Sequence, residues 1–472
     1  MPVPARLLDS LGGLLGPAGM LTEPADVAPY LVDWTGAWRG ACPAVLRPAS
    51  TEEVSRAVAL CHDAGVPLVP QGGGTGLTGG GVPDSSGDAL LLSTGRLRAV
   101  RDVDPVANTI TVEAGVVLAD VQAAAARAGR LLPLSLGSEG SCTIGGNLAT
   151  NAGGTGVLRY GMARNLVLGL EVVLPDGRVW EGLRPLRKDN TGYDLAGLFV
   201  GSEGTLGVIT AAVLALAPAV PRKATAWVAL PSVSAAVGLF TTVREQAAER
   251  LSAFELVGRE ALELVLAHVP GARNPFDVPH PWYALVELAG AESVQGLDES
   301  LEGALAAAFE ADLVADAVVA GGPAQRAGLW ALREGISEAQ KVEGTSIKHD
   351  VTLPIADLAP FVAATGPRLA EELPGVRLVT YGHVGDGNLH YNLSASRGDD
   401  DALRSAAGRL TSMVYDAVAA AGGSISAEHG LGRAKAAAAA RYKSEVELQL
   451  MRAVKQALDP RGLMNPGVVL PR

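Results

Sequence analysis

A chain of 472 residues, 48% of them apolar and with a net charge of −12, is long enough for two or three domains with buried cores. The acidic balance excludes nucleic acid as the natural partner, because a phosphate backbone needs a basic surface and the lysines and arginines here form no run. The three cysteines, Cys42, Cys61 and Cys142, make neither a C-x-x-C nor a disulfide framework, which points to a reducing compartment and away from an iron–sulfur cluster or c-type haem. The N-terminus shows no signal-peptide pattern and no stretch reaches the ~18 apolar residues of a transmembrane segment, so the expected setting is cytoplasmic, with peripheral membrane attachment left open.

In chain order, Ser50-Thr51-Glu52-Glu53 has a capping-box pattern, and Val54, Val58 and Cys61 recur at helical spacing up to Gly65. A strand over 66–69 runs into Gln71-Gly72-Gly73-Gly74-Thr75-Gly76-Leu77-Thr78. Successive glycines let backbone N–H groups converge, and such nests hold phosphate oxygens; a mobile surface loop is the plainer alternative. It is not a Rossmann fingerprint, since glycine and proline through Pro83 leave no helix for a pyrophosphate. Strands are expected over 90–93 and 109–112, with a helix over 118–128. Residues 137–154 are small and polar almost throughout, and loops that long inside a domain are usually functional. A hairpin turning at Asp176-Gly177 follows, then a third glycine-rich stretch at Gly201-Ser202-Glu203-Gly204. Three such segments suggest an extended, phosphate-bearing cofactor wrapped by backbone.

Pro218 and Pro221 mark a boundary. Beyond them, strands over 225–230, 283–288, 313–319, 347–353, 378–383 and 389–393 alternate with helical patterns, which reads as α+β over a mixed or antiparallel sheet. Helices over 402–421 and 444–458 close the chain. The expected division is 1–219, 220–425 and 426–472.

The densest chemistry lies in Tyr381-Gly382-His383-Val384-Gly385-Asp386-Gly387-Asn388-Leu389-His390-Tyr391-Asn392. Asp-Gly between strand-like residues is a strong hairpin signal, and a two-residue turn there would set His383 directly opposite His390. Cβ atoms at such positions lie roughly 4.5–5.5 Å apart, within reach of one metal ion, and alternation puts Asn392 on the same face. A tight turn with two hydrogen-bonded histidines is the simpler reading. A third ligand would decide between them, and Glu428-His429 is the best later candidate. Arg333 and Ser337, four apart, share one face of an expected helix, with Lys348 on the strand that follows; alone, these would be surface charges. His62, His268, His280 and His349 read as structural.

From about Pro43 to its end, the chain resembles the flavoprotein oxidoreductases with a vanillyl-alcohol-oxidase-type FAD domain, and within them the D-2-hydroxyacid dehydrogenases. The segments that carry the likeness are Pro70 to Gly76, Gly145 to Gly154, Gly201 to Gly207, Gly382 to His390 and Ala427-Glu428-His429-Gly430; the stretches Arg187 to Tyr193 and Leu463 to Gly467 are most similar to the D-2-hydroxyglutarate branch. The resemblance implies a vanillyl-alcohol-oxidase or p-cresol-methylhydroxylase-type FAD domain, an α+β cap domain for substrate, and a C-terminal segment that completes the active site and packs on the FAD domain. It implies FAD contacts at Gly72, Gly73, Gly74, Thr75, Gly76, Leu77 and Thr78, at Ser138, Gly145, Asn147, Thr150 and Asn151, and at Gly204, Val208 and Ile209. Thr75 stands where covalent relatives carry histidine, so the FAD is expected to be dissociable.

It further implies a divalent metal at His383, His390 and Glu428, zinc first and manganese second for a His2Glu set. His429, beside a ligand, is the expected general base; an imidazole pKa of ~6.5 suits that task. Substrate binding falls to Arg333, Ser337, Lys348 and Asn392, with Ser337 where the hydroxyglutarate enzymes are expected to have threonine. The expected activity is oxidation of D-2-hydroxyglutarate, with electrons passed to a separate acceptor, an electron-transferring flavoprotein or a quinone, and with a homodimer as a possible assembly. D-lactate or a broader range of D-2-hydroxy acids is the alternative substrate. A non-catalytic flavin-binding subunit is the alternative of another class, and retention of the hairpin histidines speaks against it.

Overall fold

The computed structural model describes residues 2–395 and 399–471. The chain forms two compact units. One comprises Met1–Gly154, Tyr160–Ala219 and Glu428–Arg472, the other Thr155–Arg159 and Val220–Ala427. Among the described residues, no helix is long and apolar enough to cross a membrane.

The first unit holds two main sheets. In the smaller, the order is Met20–Leu21, Val45–Leu46, Leu90–Ser93, Leu68–Gln71, with parallel pairing among the last three. Helix Thr51–Ala64 covers it. Ser50 caps the helix by accepting from the Glu53 N–H, Gly65 ends it at φ 69°, and Val54, Val58 and Cys61 pack against Leu68, Leu90 and Leu92. The outer strand Leu68–Gln71 is covered from the far end of the chain, where the Leu68 N–H donates to Leu463 and its carbonyl accepts from Asn465. Lys455 fastens that end by donating to the Thr205 and Met464 carbonyls and to Asp459.

The larger sheet is antiparallel, in the order Val100–Asp104, Thr109–Glu113, Val208–Ala215, Val167–Val173, Val179–Gly182. The Asp176-Gly177 turn is as expected, joining Val173 to Val179 with Gly177 at φ 89°. Residues 137–154 are not all loop, because helix Ile144–Ala149 forms within them. Its signal is hidden by glycines, yet Ile144 and Leu148, four apart, bury in the same core, and Gly145 sits where a Cβ would come within 2.7 Å of Ala114.

The second unit is built on an antiparallel sheet in the order Asp316–Val319, Arg222–Leu230, Trp282–Gly290, Leu251–Gly258, Arg377–His383, Asn388–Ser394, Ser346–Ile347, and Asp350–Thr352 also pairs with Asn388–Ser394. Three expectations need correction. Strand Leu251–Gly258, at the centre, was not anticipated: nearly every residue in it is buried, so no polar alternation marks it. The strand expected over 347–353 is two pieces, broken where His349 donates its N–H to Asn392 and sets its ring between the Tyr391 carbonyl and Thr411. The helix expected to carry both Arg333 and Ser337 is two helices, Pro323–Glu334 and Ile336–Glu343, meeting at Gly335, where a Cβ would lie 2.9 Å from the Ala331 carbonyl oxygen and 3.0 Å from Val269.

Candidate functional site

In the first unit, the glycine segments offer one packed face and one open face. A Cβ on Gly73 would lie 2.2 Å from the Ser141 carbonyl oxygen and one on Gly72 2.6 Å from Thr143 Oγ1, so this backbone is pressed against the second segment. Gly74, at φ 70°, and Gly76 have nothing within 4 Å of the same position. Thr75 and Leu77 are half-buried beside them, and the buried Thr78 accepts from the Arg433 and Ala434 N–H groups through its carbonyl.

Ser138 accepts from the Ser141 and Cys142 N–H groups, and Gly145 and Asn147 are buried in the short helix. Thr150 donates to the Gly146 carbonyl, while Asn151, at φ 51°, accepts from the Arg164 N–H. Gly204, at φ 70°, lies under Pro70, and Val208 and Ile209 begin a core strand. Among the described residues, Thr143 Oγ1 and Asn147 Nδ2 are buried with no hydrogen-bond partner. Orphaned polar atoms beside an open glycine loop fit a polar, phosphate-bearing cofactor.

Glu203, absent from the sequence-based set, organises the rest of this unit's site. It sits at φ 50°, and its carboxylate accepts from the Leu431 N–H at 2.8 Å and the Gly432 N–H at 2.9 Å, gripping the turn that follows Glu428-His429. Burial pushes its carboxyl above the usual range, against the lowering effect of those two N–H groups and Lys435. Glu428 accepts from the Gly154 N–H at 2.9 Å, and its other oxygen lies 3.9 Å from His429 Nε2.

In the second unit, the hairpin register differs from expectation. His383 pairs with Asn388 and Tyr381 with His390, so the two histidines are diagonal and not directly opposite. The connection is longer than two residues because Val384–Asp386 makes a helical turn, Gly387 follows at φ 79°, and the Asp386 side chain accepts from the Asn388 N–H. The slip amounts to two residues, an even number, so both rings keep the same face, with centroids 5.7 Å apart.

His383 meets a carboxylate on its other side. Glu255, its direct partner on strand Leu251–Gly258, accepts from His383 Nδ1 at 2.7 Å and from Arg333 Nε at 2.8 Å. Burial would raise the Glu255 carboxyl, but the charges and hydrogen bonds of His383 and Arg333 hold it below the usual range. The Arg333 guanidinium lies over the Tyr381 ring, 4.8 Å from its centroid, and Ser337 Oγ is 3.2 Å from the Tyr381 hydroxyl. Arg333 and Ser337 thus meet on the same aromatic residue although they lie on two helices, and His390 also adjoins its ring at 4.7 Å. Asp350 pairs with His390 across the sheet, its carboxylate 3.8 Å from Nδ1.

Asn392 accepts from the His349 N–H and donates to Gln340. Lys348 is depressed by burial and by Lys341, with Glu338 opposing. Sequence reasoning missed Glu203, Glu255 and Asp350. The available signal for Glu255 was a single acid within an apolar run, which has to find a partner.

Comparison with known proteins finds two family matches, the second of which runs past Ala427 into the segment that the structure groups with the first unit. Residues 42–182 match the FAD binding domain family and residues 220–469 the C-terminal domain of FAD linked oxidases. The D-2-hydroxyglutarate dehydrogenase of Xanthomonas citri pv. viticola is 41% identical, over 94% of this chain and 93% of that protein. The mitochondrial D-2-hydroxyglutarate dehydrogenase of Bos taurus is 41% identical, over 96% and 82%. Among solved structures, p-cresol methylhydroxylase with substrate bound superposes with a TM-score of 0.77 at 17% identity, over 100% of this chain and 99% of that one. The 4-ethylphenol oxidase of Gulosibacter chungangensis gives 0.76 at 19%, over 100% and 98%. These last two show the fold alone.

Proposed function

The chain belongs to the FAD-linked oxidase family, among the D-2-hydroxyglutarate dehydrogenases, and is an FAD-dependent dehydrogenase; from that premise we propose that it oxidises D-2-hydroxyglutarate to 2-oxoglutarate. The observation that carries the reading is the gathering of Arg333, Ser337, His383 and His390 around Tyr381, which sets a cation and a hydroxyl for a carboxylate beside two imidazoles. Two imidazoles and a carboxylate suit a borderline divalent cation, zinc before manganese, and His383, His390 and Glu428 are the residues to hold it. With Nδ1 of His383 given to Glu255, its Nε2 is the atom for the metal. Covalent continuity supports the third ligand: the Ala427 N–H donates to the carbonyl of Asp350, the partner of His390, and Glu428 is the next residue.

Bound FAD would supply the acceptor for the Cα hydride, and a cation held by His383, His390 and Glu428 would lower the pKa of the substrate hydroxyl. His429 accepts the hydroxyl proton, its backbone fixed from behind by Glu203 through the following turn. Arg333 neutralises a substrate carboxylate, with Ser337, Lys348 and Asn392 as further polar contacts. Gly72 to Thr78, Ser138, Gly145, Asn147, Thr150, Asn151, Gly204, Val208 and Ile209 would hold the dissociable FAD. Loss of a proton and a hydride leaves the 2-oxo acid, and the two electrons pass to an electron-transferring flavoprotein or a quinone.

The test is anaerobic mixing of metal-replete protein with substrate while following the flavin absorbance. Bleaching is expected with D-2-hydroxyglutarate, not with its enantiomer, and much more slowly with D-lactate. Bleaching with D-lactate alone moves the protein to the monoacid branch, and none with any D-2-hydroxy acid refutes the activity. Turnover should vanish on chelation and return with zinc or manganese, and acid precipitation should release the yellow colour into solution.

A further inference from the structure

We propose that Glu255 is a positioning residue shared by the two halves of the substrate site: one carboxylate oxygen sets the ring of the metal-binding His383, the other the guanidinium of the carboxylate-binding Arg333. The proposal rests on the roles given to those two residues above and adds the link between them.

Glu255 is 1% exposed and stands in the central strand among Ala253, Phe254, Leu256 and Val257, all buried. A lone carboxylate in such a place is unfavourable unless charged partners meet it, and both of its oxygens are met, by His383 Nδ1 at 2.7 Å and Arg333 Nε at 2.8 Å. Strand pairing opposes Glu255 to His383 directly, so the first contact follows from register. Arg333 is itself only 8% exposed and is flanked by the Tyr381 ring, so its head has little freedom to rotate. One rigid group therefore fixes the spacing between a metal ligand and a cation that faces the substrate. Donation from Nδ1 to a carboxylate also keeps the proton off Nε2, the nitrogen a metal would use.

The chemistry gives an unusually sharp substitution. Glu255→Gln keeps the shape but replaces one acceptor oxygen with an NH2 donor, and both neighbours are donors. If the NH2 faces His383, the ring must accept at Nδ1 and carry its proton on Nε2, which competes with the metal. If it faces Arg333, the guanidinium is displaced. Either way, a property that depends on the shared carboxylate changes, while the fold keeps its packing.

FAD-replete Glu255→Gln and wild-type protein are compared by zinc affinity in chelator competition, by bound zinc after dialysis, and by KM for D-2-hydroxyglutarate and D-lactate. Flavin content and melting temperature serve as controls. Expected are full flavin content, a zinc affinity about 10- to 100-fold weaker, and a KM that rises more for the diacid than for the monoacid. Unchanged zinc affinity and unchanged KM in a folded variant overturn the proposal. If Glu255→Gln loses flavin or melts early, Arg333→Gln decides. Arg333 is not among the metal ligands, and its removal leaves Glu255 to His383 alone, so zinc should bind several-fold more tightly; an unchanged affinity overturns the link. Wild-type protein that turns over fully after chelation refutes the metal role itself, independently of Glu255. The KM arm then stands alone, and non-additive effects of Glu255→Gln and Arg333→Gln support the coupling while additive ones overturn it.

Discussion

The two units prepare for a ligand by opposite means. In the first, the ligand-facing material is main chain: glycines pressed against a neighbouring segment on one side and open on the other, with two orphaned polar atoms nearby. In the second it is side chain, a buried chain of charge and ring contacts running from Arg333 through Glu255 to His383, with Tyr381 beneath. Backbone N–H groups suit a long phosphate-bearing molecule that must be held along its length. A small acid, with few atoms to grip, requires concentrated charge.

If that contrast is right, substitutions should separate cofactor from chemistry. The largest effect is expected at His429: His429→Asn should lower kcat about 10²–10⁴-fold with FAD content unchanged, read by steady-state turnover beside the flavin spectrum. Next come the glycines. Gly73→Ala places a methyl 2.2 Å from the Ser141 oxygen and should cost about 1–3 kcal/mol of stability together with the flavin. Gly76→Ala enters open space and should leave the melting temperature of FAD-free protein alone while weakening FAD binding in a titration.

A smaller effect probes the first unit's own electrostatics. Glu171 accepts from Thr51, Thr210 and Arg101. Burial raises its carboxyl, but these partners outweigh that and hold it below the usual range. A depressed carboxyl stabilises the fold fully above its ordinary pKa of ~4.3, and the benefit fades as pH falls through the lowered value. Glu171→Gln should therefore lower stability by about 1 kcal/mol near neutrality and flatten the acid side of a melting-temperature profile. The smallest is Ser337→Ala, which removes the contact with the Tyr381 hydroxyl and should reduce kcat/KM about fivefold, the equivalent of ~1 kcal/mol.

The same contrast explains what could be read in advance. Glycine-rich stretches and the Asp176-Gly177 turn announce themselves locally, because positive φ restricts which residues can occupy a position. The helix from Thr51 was legible from its cap and its spacing. Glu255 was not, because its strand is buried on both faces and carries no alternation, and its partners lie far away in sequence. The histidine hairpin falls between these cases. Its existence and shared face were readable, but its register depended on whether Asp386 folded back as a side-chain acceptor, a choice the Asp-Gly pair alone does not reveal. Arg333 and Ser337 met on Tyr381 despite the break at Gly335, so their convergence was legible while the helix carrying it was not.

The outer strand Leu68–Gln71, completed by Leu463 to Asn465, has a consequence for manufacture. A ribosome delivers the whole Val220–Ala427 unit before it delivers the segment that seals this strand. Throughout that interval the nascent chain carries an unsealed sheet margin at Leu68, the kind of surface that recruits other chains. A message interrupted shortly before Met464 would thus yield a polypeptide with its second unit complete and its first still unsealed, a substrate for chaperones and proteases.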